Sequence, residues 1–175
     1  GIPPTPPPIT PPPPSPIPGD LDVRVSYQPF ERGFMIWRAD NGNIGVYFGT
    51  SGGMIAHFDP SQYANLPDFT PAGPTGSAAG YGFPFYRPIL GFGKVWSNYD
   101  WVRNQLGWGI GPEISYTMHI HYVPSQSGLT FTIPYGGLIS TTFDRYWNYL
   151  SGGPPPVQTL TPQPLPPAPT ATTGF

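Results

Sequence analysis

EISYTMHIHYV, residues 113–123, alternates strictly from Ile114 onward. Ile114, Tyr116, Met118, Ile120 and Tyr122 share one face, and Ser115, Thr117, His119 and His121 share the other. Alternation with period two is the mark of a strand with one face in a core and one in solvent. Residues 21–27 (LDVRVSY) alternate in the same way. The stretches 33–39 (GFMIWRA), 43–48 (NIGVYF) and 54–58 (MIAHF) read as further strands, as does 89–96. Asp40-Asn41-Gly42 and Thr50-Ser51-Gly52-Gly53 are hairpin turns, because Asn-Gly and Gly-Gly adopt positive φ at little cost. Residues 128–133 and 138–143 are expected to pair around Pro134-Tyr135-Gly136-Gly137. Helical signals are few. Asp59 should cap a short turn that starts at Pro60. Asn98 should cap one helix over 98–106 that Gly107 ends, and 145–150 reads as a last helical turn. The expected fold class is all-β, a sandwich or barrel-like pair of small sheets with one short helix.

The ends have a different composition. Residues 1–18 carry 11 of the 29 prolines and residues 152–175 carry 8, with no charged side chain in either segment. Between them, 19–151 holds 26 of the 27 aromatic residues. Proline lacks the N–H that helices and ladders need, so both ends are expected as polyproline II tails flanking one aromatic-rich β domain. At about 3.1 Å per residue, either tail reaches roughly 55–75 Å, further than the diameter of the domain. Thr5, Thr10, Ser15, Thr159, Thr161 and Thr170 are candidates for O-linked glycosylation in such stalk-like sequence. Residues 66–88, with five prolines and a Gly-Ser-Ala-Ala-Gly run, read as a long loop.

Charged residues make up only 9% of the chain, and the net charge is −2. With no basic cluster, nucleic acid and anionic membranes are not expected partners. No apolar run approaches the ~20 residues of a membrane-spanning helix. Cysteine is absent, which excludes disulfides, thiol catalysis and cysteine-based metal sites. His119 and His121 point to one face of their strand, and with His57 they form a candidate three-histidine metal site. The plainer alternative is an exposed polar face behind a buried one. Most of the nine carboxylates look like caps and turn residues, as with Asp40, Asp59 and Asp100, and no nucleophile elbow or phosphate-binding loop is present. No catalytic residue and no cofactor is expected.

Trp37, Trp96, Tyr99, Trp101, Trp108, Tyr146, Trp147 and Tyr149 are more large aromatics than a small core needs, and they are candidate interface residues for docking the tails. Core packing is the alternative for about half of them. Two stretches, QPFERGFMIWRADNGNIGVYFG and PILGFGKVWSNYDWVRNQLGWGIGPE, carry a resemblance through Phe30, Gly33, Phe34 and Trp37, and through Gly91, Phe92, Trp96, Leu106, Gly107, Trp108 and Glu113. They resemble modules of secreted and cell-surface bacterial proteins and, more loosely, the LGFP repeats of cell-wall-associated proteins. The resemblance implies an extracellular, non-catalytic module. Two functions are therefore expected. The first is a structural subunit of an extracellular filament or surface sheath, polymerising with copies of itself as its tails dock on neighbours. The alternative is a cell-surface module that binds carbohydrate or cell wall, with the tails as spacers.

Overall fold

The computed structural model describes Gly1 and residues 19–67 and 85–154. The tails (apart from Gly1 and 152–154), the centre of the 66–88 loop and the six glycosylation candidates lie outside the described residues.

The fold is all-β, as its alternating segments require, and the sheet closes on itself. Strands β1 (Asp20–Phe30), β2 (Gly33–Arg38), β3 (Ile44–Phe48) and β4 (Gly52–Phe58) form one antiparallel meander. Strands β5 (Ile114–Val123), β6 (Gly128–Ile133), β7 (Gly137–Thr142) and β8 (Tyr146–Ser151) form another. β1 pairs with β5 over eight residues and β4 pairs with β8 over three, which gives a closed barrel in the order β1-β2-β3-β4-β8-β7-β6-β5. Of the two architectures open to the sequence, sandwich or barrel, the barrel is realised.

Among the described residues, three α-helices lie between the two meanders: α1 (Pro60–Tyr63), α2 (Leu90–Asn98) and α3 (Asp100–Leu106). Asp59 caps α1 through a full capping box with Gln62. The strand expected at 89–96 is instead α2. Phe92, Val95 and Trp96 fall at helical spacing and pack together on the outer surface of β1–β4. The helix expected over 98–106 is α3, ended by Gly107 as expected, and Tyr99, in extended conformation, ends α2 and caps α3. Asn98 is no cap: its amide donates to the carbonyls of Lys94 and Pro67. The helical turn expected at 145–150 is β8, whose Trp147 and Tyr149 pack on the barrel core while Tyr146 and Asn148 face out.

There are two cores. Inside the barrel lie Val23, Val25, Tyr27, Phe34, Ile36, Tyr47, Ile55, Met118, Ile120, Phe131, Ile133, Ile139 and Trp147. Outside β1–β4, Met35, Ile44, Val46 and Phe58 meet Phe92, Val95, Val102 and Leu106 of the helices. β3 is thus buried on both faces, which explains why NIGVYF reads as a nearly continuous apolar run.

Gly33 opens β2 with φ +142°, and a Cβ there would lie 2.0 Å from the Tyr47 carbonyl oxygen. Gly33→Ala is expected to cost about 2–4 kcal/mol, combining backbone strain with overpacking. Urea denaturation of the two proteins measures it.

Candidate functional site

At one end of the barrel the interior is not filled. A cavity of about 370 Å³ opens there, lined below by Ile36, Tyr47, Met118, Ile120 and Phe131. Its rim carries Arg38, Asn41, Asn43, His57, Tyr122, Ser127 and Asp144. Each strand contributes by its alternation. Ile36 and Arg38 share a face of β2, Gly45 and Tyr47 a face of β3, and Ile55 and His57 a face of β4. Gly45 makes room for the ring of Tyr47, whose edge would lie 2.8 Å from a Cβ at that position.

The rim charges are paired. Arg38 donates from Nε and Nη2 to the two carboxylate oxygens of Asp40, at 3.0 and 2.7 Å. This hydrogen bonding holds the Asp40 carboxyl below its ordinary range. His57 Nε2 lies 3.1 Å from the Asp144 carboxylate and 3.0 Å from the Asp144 carbonyl oxygen. Burial pushes the Tyr47 hydroxyl well above its usual pKa, Asp144 pushes it further, and Arg38 opposes both. The Tyr47 hydroxyl is therefore a neutral donor and acceptor in the field of both charges.

Beneath the cavity the barrel is solid. Phe34 stacks on Tyr47 at 4.5 Å, and Trp147 meets Phe34 edge-on at 5.1 Å. Tyr27 follows at 5.6 Å from Phe34. The Trp147 indole N–H donates to the Phe48 carbonyl at 2.9 Å.

Of the eight aromatic residues singled out in the sequence, none lines this cavity. Trp96 and Trp147 are buried. Trp37, Tyr99 and Trp108 pack against the outer core, and Tyr149 packs against the barrel core. Trp101 and Tyr146 are exposed, at 46% and 49%. Trp37 also borders a second cleft with Tyr63, Leu90, Phe92 and the half-buried Glu113, whose carboxyl burial pushes up. The aromatics of the cavity are Tyr47, Tyr122 and Phe131, which drew no functional attention in the sequence. The glycine interrupting NIGVYF was their signal, since a glycine inside a strand marks a close approach.

The three histidines are not brought together. His119 and His121 are on the outer face of β5, as the alternation requires, whereas His57 faces the cavity from β4. Among the described residues no group of three or more His, Asp or Glu is arranged to hold a metal ion. His119 and His121 instead meet the aspartates opposite them on β1. His119 Nδ1 lies 2.7 Å from Asp22, and His121 Nδ1 contacts Asp20. The hydrogen bond that His119 donates to Asp22, with the charges of Asp22 and Asp20, raises the His119 pKa above 6.5.

A raised folded-state pKa stabilises the fold below the unfolded value and loses that contribution as pH climbs through the folded one. The His119 contribution is therefore full below about pH 6.5 and fades above it. Asp22→Asn is expected to return the His119 NMR titration midpoint toward the ordinary value and to flatten this part of the stability profile. An unchanged midpoint would contradict the pairing.

Comparison of the chain with protein-family models, curated proteins and solved structures found no match.

Proposed function

We propose that this chain is an extracellular, non-catalytic module that binds carbohydrate in the mouth of its barrel, with the proline-rich ends as spacers. One observation carries the reading: among the described residues, the closed barrel has an apolar core and, at one end, a cavity combining an apolar floor with a hydrogen-bonding rim. Eight-stranded barrels either fill with side chains or hold one small ligand. Sugars present both C–H faces and hydroxyl groups. Tyr47, Tyr122 and Phe131 suit the first, and Asn41, Asn43, Arg38 and Asp144 suit the second. The test is depletion of the full chain from solution by insoluble cell-wall material, chitin or cellulose, together with titration by soluble oligosaccharides. Binding that competes with soluble sugar is expected. Failure to bind any saccharide would remove the reading.

A second reading, a subunit that polymerises through its tails, is favoured by a different observation. Gly19 enters the barrel beside Tyr122 at the cavity end, whereas Gly152 lies against Gly136 and Gly137 at the opposite end. The two tails therefore attach at opposite ends of the domain, as head-to-tail assembly needs. Sedimentation velocity separates the readings: the carbohydrate-binding module remains monomeric as concentration rises, and the polymer does not.

A further inference from the structure

Resting on the carbohydrate reading above, we propose that the barrel mouth recognises the terminal unit of an uncharged saccharide chain and excludes its interior units. The cavity is blind. Tyr47 and Phe131 form its floor, and Phe34, Trp147 and Tyr27 continue the packing below them. These packed rings leave no passage for a chain to thread down the barrel. Rim segments also stand on opposite sides of the opening: the 40–43 turn with Asn41 and Asn43, and the 3-10 turn at Pro124–Gln126 leading to Ser127 and Gly128. A bound chain therefore enters end-on and leaves the way it came. The volume, about 370 Å³, is at the small end of the roughly 300–1,000 Å³ usual for ligand pockets, which suits a ring-sized group.

The charge of the rim excludes an acidic terminus. The Arg38 guanidinium is engaged by Asp40, and His57 is engaged by Asp144. Each basic side chain that lines the rim thus already has a carboxylate partner, so neither is free for an incoming carboxylate. A neutral sugar loses little on entry, whereas a uronic acid meets the Asp144 carboxylate beside the buried Tyr47 hydroxyl.

The experiment titrates the full chain with linear neutral oligosaccharides of glucose, mannose, galactose and N-acetylglucosamine, two to six units long, and with β-cyclodextrin and oligogalacturonate. In the series that binds, molar affinity is expected to stay constant with length, because each chain has one recognised end. Oligogalacturonate should bind at least tenfold more weakly. If maltooligosaccharides bind, β-cyclodextrin, which has the same units and no end, should not. Affinity that rises with the number of internal units, or equal binding of the cyclic sugar, would overturn end recognition and leave the carbohydrate reading standing. Preference for oligogalacturonate would overturn the charge argument. Binding of none of these probes would defeat the carbohydrate reading itself.

Discussion

Replacing Trp147 with alanine is expected to lower stability by about 3–5 kcal/mol, the usual loss for a large aromatic deleted from a core. Three consequences of its position combine. The side chain is 3% exposed and touches Phe34, Tyr47 and Tyr149 across the barrel interior. Its indole N–H satisfies the Phe48 carbonyl, so truncation leaves a buried acceptor without its donor. It also stands at the β4–β8 seam, where only three residue pairs close the barrel. Domains of this size have about 5–15 kcal/mol in total, so the variant should be close to unfolding at 37 °C. Trp147→Phe separates the contributions. It keeps most of the packing and should lose only about 1–3 kcal/mol through the unpaired Phe48 carbonyl. Urea denaturation followed by circular dichroism measures both, and an alanine variant within 1 kcal/mol of the parent would contradict the placement of Trp147 at the seam.

Filling the cavity should abolish binding without unfolding the protein. Leu129 is partly buried, packs against the barrel core and lines the cavity from β6. Leu129→Trp adds apolar volume directed into space that is open, so the overpacking penalty of a filled core does not apply. Its melting temperature is expected within a few degrees of the parent. Saccharide affinity should fall at least tenfold, equivalent to about 1.4 kcal/mol. Trp101→Ala and Tyr146→Ala, on exposed outer positions, should leave affinity unchanged. The opposite pattern would move the site to the outer aromatics.

Much of the fold was legible in local patterning. β5 announced itself through Met118 and Ile120 against His119 and His121, and the Asp59–Pro60 cap was as plain in the sequence as in the structure. What local patterning does not carry is long-range pairing. Closure depends on Gly53 meeting Trp147 and Val25 meeting Tyr116, contacts that no short window contains. The segment 89–96, expected as a strand, is helical. The helical spacing of Phe92, Val95 and Trp96 prevails because that face meets the apolar outer surface of β1–β4. The aromatic surplus had the same origin: two cores, one on each side of the same strands, need more large residues than one. The cavity was the least legible feature, because a space is defined by the residues that fail to meet across it.

The most direct test of the central claim is an amide NMR titration of the full chain with a neutral oligosaccharide from the series that binds. The account predicts shifts concentrated at Arg38, Asn41, Asn43, Gly45, Gly128 and Leu129, the residues around the barrel mouth. Shifts centred on Trp37, Trp101 and Tyr146, or no shifts at all, would contradict it.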